Sequence, residues 1–221
     1  MEASYVDLAD PSHLEFDYMR WMRVVLRAAR ARRVLHVGGG GCALARALAA
    51  ENPAGRQLVC EIDARVLALA REHLGLRRVR GLRVRHAEGR ALIERQPQKS
   101  WDAVVIDAFV GALVPRPLIT AEGLAAVARA APLALVNIVD DRSARELRLV
   151  GAAVSDAYPQ SGAIGGRAGN SVLIGAGKLP DLDLVAAGVA ADRSPATVIV
   201  PAELSRLIAG TVPLHDADAA S

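Results

Sequence analysis

The chain has 221 residues, is 52% hydrophobic and carries a formal net charge of +3 from 27 basic and 24 acidic side chains. That length gives one domain with a sizeable core, since about 70% of the unfolded surface is buried at this size. No apolar run reaches the roughly 18–20 residues of a membrane span, aromatics make up only 3%, and Cys42 and Cys60 join no CxxC pair or histidine cluster; a membrane protein, a nucleic-acid reader built on aromatic stacking and a metal site are not expected.

The opening stretch MEASYVDLADPSHLEFD lacks the basic start and apolar run of a signal peptide. Two isolated thiols suit a reducing compartment, so a cytoplasmic location is expected. Residues 9–30 predict a first helix, with Asp10 or Ser12 as cap, Pro11 in the first turn and Ser12 with Glu15 as a capping box. Leu14, Tyr18, Trp21, Met22 and Val25 recur at helical spacing and read as a core stripe.

From residue 33 strands and helices alternate. RVLHV (33–37), RQLVCEI (56–62), LRVRHA (82–87), DAVVIDAF (102–109) and LALVNIV (133–139) are predicted strands. Between and after them lie predicted helices at 42–52, 64–74, 89–96, 120–131 and 141–158. This order means βαβ units and a parallel sheet. Residues 161–178 predict a glycine-rich antiparallel hairpin with a strand at NSVLIGA. The segments 182–191 and 201–210 predict helices, and HDADAAS reads as a disordered polar tail. The arginine-rich stretches at 26–33 and 76–86 read as solvated surface, and no nucleic-acid partner is expected.

Gly38, Gly39, Gly40 and Gly41 stand between the first strand and its helix. Four glycines weaken any regular element, so they fit a loop whose backbone must approach a ligand. Strand, glycine turn and helix form the first unit of a nucleotide-binding α/β fold. Three acids fall at the carboxyl ends of predicted parallel strands: Glu61, 20 positions beyond Gly41, then Glu88 and Asp107. Ligands bind along that edge in open α/β sheets, and an acid at the Glu61 spacing suits a ribose diol. Glu88 fits a helix N-cap as well as a ligand contact.

The blocks VLHVGGGGCALARAL, VCEIDARVLALAREHL, VRHAEGRALI and WDAVVIDAF resemble the spermidine synthase (polyamine aminopropyltransferase) family. CEIDARVLALARE is the most specific of them, and the resemblance runs over residues 12–177. It implies an α/β, Rossmann-like class I methyltransferase fold. The sheet would be mostly parallel and seven-stranded, with helices on both faces and an antiparallel closing hairpin. Within a single domain over 1–221, residues 1–32 would form an N-terminal helical segment, 33–177 the nucleotide-binding core and 178–221 a helical extension with a tail.

The resemblance also implies a reaction: aminopropyl transfer from decarboxylated S-adenosylmethionine to an amine such as putrescine, releasing methylthioadenosine. Glu61 would hold the ribose, Glu88 would meet the adenine amine, and Asp107 would orient and deprotonate the attacking amine. Ile62, Gly89 and Ala108 join the implied nucleotide site, with Tyr18 and Asp140 as candidate substrate contacts. Asp140 and Asp141 also fit a helix start at DDRSARE, and that reading is preferred to a substrate role. No metal is implied, and the family suggests a homodimer.

The chain departs from the family pattern in several places. The family loop has an aspartate where Gly41 stands, and a second fourth-strand aspartate where Val110 stands. Phe16 takes the place of a family tyrosine, and only about ten residues precede the first predicted helix, without the family's small β-domain. A loop free of its aspartate repels a carboxylate less, and helix N–H groups attract one. Methyl transfer from ordinary S-adenosylmethionine to a small molecule is therefore the rival reading, and a non-catalytic nucleotide-binding protein the third. GxGxxG is not matched, because Ala43 takes the place of its last glycine, which argues against a dehydrogenase. Arg167, in the GGRAGN turn, reads either as part of a flap over an anion or as a plain hairpin residue.

Overall fold

The computed structural model describes residues 4–76, 79–165, 168–194 and 196–219. Arg167 and the hairpin tip at 166–167 lie outside the described residues. The sheet is organised around β1 (Arg33–Val37), which is buried after its first residue. Parallel partners flank it: β2 (Arg56–Glu61) and then β3 (Leu82–His86) on one side, β4 (Ala103–Ile106) and β5 (Leu133–Asp140) on the other. Val34 to Val37, Ala103 to Ile106 and Leu133 to Ile138 are continuous buried runs, as strands covered on both faces require.

β6 (Gln160–Gly165) and β7 (Gly169–Ala176) form the closing hairpin, and β7 inserts antiparallel against β5. An eighth strand, β8 (Thr197–Ile199), pairs antiparallel with β6. The full order is β3-β2-β1-β4-β5-β7-β6-β8. The sequence predicts seven strands; the eighth has three residues, too few for an alternation to register. At the opposite edge, β3 exposes Arg83 and Arg85.

Helices cover both faces. α1 (Asp17–Ala28), α2 (Ala43–Glu51) and α7 (Leu182–Ala190) bury Met22, Leu44 and Val185 against one face. α4 (Gly89–Glu94), α5 (Ala121–Ala130), α6 (Arg145–Ala157) and α8 (Pro201–Leu207) bury Ile93, Leu124, Val150 and Leu204 against the other. α3 (Ala64–His73) packs Ala70 beside Leu76 and Leu82 at the β3 edge.

Two boundaries differ from expectation. α1 begins at Asp17, with Phe16 as an N-cap that makes no side-chain cap bond. The predicted capping box does not form: the Ser12 hydroxyl donates to Asp10 (2.6 Å), while Glu15 pairs with His13 and Arg193 (both 3.0 Å). The predicted tail instead contains α9 (Asp216–Ala219). Asp216 accepts from the Thr120 hydroxyl (2.6 Å) and from Arg90, and its N–H reaches Glu122 (3.0 Å). These anchors lie far away in sequence, so local composition does not announce them.

The core stripe of α1 is as expected: Leu14, Tyr18, Trp21, Met22 and Val25 are all buried. Its opposite flank is fixed by charge. Arg20 grips Asp192 through two bonds (2.8 and 3.0 Å), and Trp21 donates to the Ser194 carbonyl (3.2 Å). Burial pushes the Asp192 carboxyl up, but the Arg20 and Ser194 hydrogen bonds outweigh it and hold the group below its usual range. Breaking a buried pair from one side leaves an uncompensated charge. Asp192→Ala is therefore expected to cost on the order of 3 kcal/mol and to lower Tm by several degrees in thermal denaturation. An unchanged Tm would contradict this role for the pair.

Candidate active site

Register places the glycine loop between two acids. Val37 pairs with Cys60 on β2 and with Ile106 on β4, so Gly38 is level with Glu61 and Asp107. The Gly38 N–H donates to the Cys60 carbonyl (3.0 Å) and the Asp107 N–H to the Val37 carbonyl (2.9 Å). Gly38 has φ +77, and a Cβ there would run into the Asp107 carbonyl oxygen. Only glycine meets both demands.

Glu61 turns toward the loop rather than out to solvent. One carboxylate oxygen accepts from the Gly40 N–H (3.3 Å), the other from the Asp63 N–H (2.9 Å). A carboxylate offers about four lone-pair sites, so two remain for a diol. Ile62 is largely exposed beside it. Gly89 is buried, and a Cβ there would meet Val37 and Leu118.

Glu88 and Asp140 act as caps. The Glu88 carboxylate accepts from Arg90 N–H (2.8 Å) and Ala91 N–H (2.6 Å), closing the start of α4. Asp140 accepts from Leu147 N–H (2.8 Å) and Asp141 N–H (2.9 Å), near the start of α6. Both stand at or just beyond the carboxyl ends of strands, and neither is bonded to Asp107. Ala108 follows Asp107 and packs against the core. The Val110 side chain is exposed in the turn beyond.

Asp107 is the centre of a network that draws on three separate elements. Its two oxygens accept from the Asn137 amide on β5 (2.9 Å) and the Tyr18 hydroxyl on α1 (3.2 Å). Burial pushes its carboxyl above the usual range, with the Asn137 and Tyr18 bonds opposing that rise. Burial, followed by the charge of Asp107, pushes the Tyr18 phenol up as well, so Tyr18 stays a donor. Phe16 stacks on Tyr18, with ring centroids 6.0 Å apart.

Asn137 escapes a reading by periodicity, yet a lone amide in the buried run LALVNIV is a signal of its own. Its Nδ2 must face the carboxylate, which leaves Oδ1 buried without a hydrogen-bond partner. The N-terminal segment is a second unforeseen contributor. The Ser4 hydroxyl accepts from the Gly41 N–H (3.0 Å), and Val6 lies over Gly41.

Both cysteines are buried. Burial, with a further push from Glu61, raises the Cys42 thiol to about 12. Burial raises Cys60 to about 11. Both are protonated at neutral pH, so neither supplies a nucleophile. Among the described residues no group of three or more His, Cys, Asp or Glu is placed to hold a metal ion. No helix there is long and apolar enough to cross a membrane.

No family model and no curated protein matches this chain. Among solved structures, it is similar to a probable spermidine synthase from Corynebacterium glutamicum. The two are 27% identical with a TM-score of 0.85, over 93% of this chain and 82% of that one. A spermidine synthase from Thermotoga maritima matches at 16% identity and a TM-score of 0.64, over 88% of this chain and 72% of that one. Human methyltransferase-like protein 13, solved in complex with SAH, matches at 20% identity and a TM-score of 0.60, over 80% of this chain and 89% of that one. The last two likenesses speak to fold alone. The sheet order and these neighbours establish the class I methyltransferase fold, and the protein is spermidine synthase-like in structure.

Proposed function

We propose that this protein is a spermidine synthase-like transferase that moves an aminopropyl group from an adenosyl-sulfonium nucleotide to an amine. The structural neighbours are transferases, which supports the broad class. The observation that carries the finer reading is the Asp107 carboxylate, held between Tyr18 and Asn137 at the end of β4.

In this reading the glycine loop and Glu61 seat the nucleotide, with the ribose diol on Glu61. The amine nitrogen attacks the carbon beside the sulfonium. The carbon–sulfur bond breaks, and its electron pair leaves on sulfur as a neutral thioether. The nitrogen then sheds a proton to Asp107. A carboxyl raised by burial is the stronger base, and two fixed donors hold it in line for the amine. The unpaired Asn137 oxygen supports an acceptor rich in N–H groups, because a buried acceptor without a donor is costly.

Purified protein given decarboxylated S-adenosylmethionine and putrescine should release methylthioadenosine. Asp107→Asn should lower kcat by about 100-fold or more. Release at background level in the unsubstituted protein would refute aminopropyl transfer to this amine.

Asp107 must be ionised to accept the proton, so kcat/KM should fall as pH drops through its raised pKa. The Asn137 and Tyr18 donors favour the charged form. Asn137→Ala and Tyr18→Phe should each move this acid limb to higher pH, the first further than the second. A pH–rate profile that stays in place in both variants would remove Asp107 as the proton acceptor.

A second reading, methyl transfer from S-adenosylmethionine, draws on the loop itself. Gly41 brings no acid, and Cys42, the N-cap of α2, makes no side-chain cap bond. Such a helix start favours a ligand carboxylate. Calorimetric titration separates the readings: tighter binding of the carboxylated nucleotide favours methyl transfer, and tighter binding of the decarboxylated one favours aminopropyl transfer.

A further inference from the structure

A second cleft, of about 510 Å³, is lined in part by Leu74, whose side chain lies beside Gly41 of the glycine loop. Arg46 of α2 forms part of its wall, Leu8 of the N-terminal segment another part, and Leu74 and Val79 further apolar surface. His73 and Arg80 add exposed basic groups, and among the described residues no acidic one lines it. The volume falls within the range of small-molecule sites.

Arg46 is the unusual member. Its residue is only 6% exposed, yet it forms no ion pair among the described residues. Nη1 donates to the Leu74 carbonyl (2.6 Å), while Nε is buried without any partner. A guanidinium so placed carries a desolvated charge and an orphan donor, and both are costly unless an anion compensates them. By contrast Arg20, equally buried, has Asp192.

We infer that this cleft is a binding site for a small organic anion, with its acidic headgroup on Arg46 and its apolar body against Leu8, Leu74 and Val79. Charge-assisted bonds from Arg46 give the headgroup its hold, and Arg80 adds longer-range attraction. The site is separate from the nucleotide edge, and its test needs no nucleotide and no turnover.

Octanoate and inorganic phosphate are titrated into the full chain by calorimetry, without nucleotide. Octanoate should saturate with a Kd of about 1 mM or tighter. Arg46→Met, confirmed as folded by circular dichroism, should weaken it by about tenfold. Should that variant fail to fold, Arg80→Gln and Leu8→Asp decide, because both alter exposed side chains. Each should weaken octanoate, and Leu8→Asp should do so more than it weakens phosphate. Phosphate binding as tightly as octanoate and lost in Arg46→Met would support the anion site and identify a phosphate headgroup. No saturable binding of either anion, or affinities unchanged in the folded variants, would overturn the inference.

Discussion

The contact between the Gly38 backbone and the carbonyl of Asp107 fixes the geometry of the site. β1 and β4 are parallel neighbours, so the turn leaving β1 must pass directly over the end of β4. A side chain at Gly38 would separate the two strand ends, and its positive φ would strain any L-residue. With that contact in place, the glycine loop, Glu61 and Asp107 share one line across three strands. The chemistry of the edge follows from register, which the buried apolar runs on both faces enforce.

A carboxylate buried at a strand end needs donors, and here they come from opposite ends of the chain's path. Asn137 arrives through the sheet, while Tyr18 arrives on a helix that precedes it. Tyr18 can reach because α1 is pressed down by its apolar stripe and tied at its flank through Arg20 and Asp192. The same turn that buries Trp21 and Met22 delivers a phenol to the Asp107 carboxylate.

How much of this is legible in the sequence depends on the range of the interactions. The alternating order, the closing hairpin and the placing of Glu61 and Asp107 at strand ends follow from periodicity and spacing, which are local. Glu88 and Asp140 show the limit, because a strand-end acid and a helix cap occupy the same place in a βα unit. Only the structure shows that each accepts backbone N–H bonds at the start of a helix. The start of α1 misleads for a related reason: Ser12 has a local partner in Asp10 and so does not cap. Asn137, Ser4 and the docking of Asp216 depend on residues dozens of positions away. Of these, only Asn137 leaves a mark in the sequence, as a lone amide in a buried apolar run.

The two rims of the sheet bear on how copies of the chain meet. A free strand edge is a template for pairing with another chain, and charge or brevity blunts it. β3 carries Arg83 and Arg85 outward, and β8 ends after three residues just before Pro201, which lacks an N–H. Self-association by extending the sheet from molecule to molecule is thus disfavoured at both margins. A dimer of this protein would have to be built from helix surfaces and loops rather than from a continuous sheet.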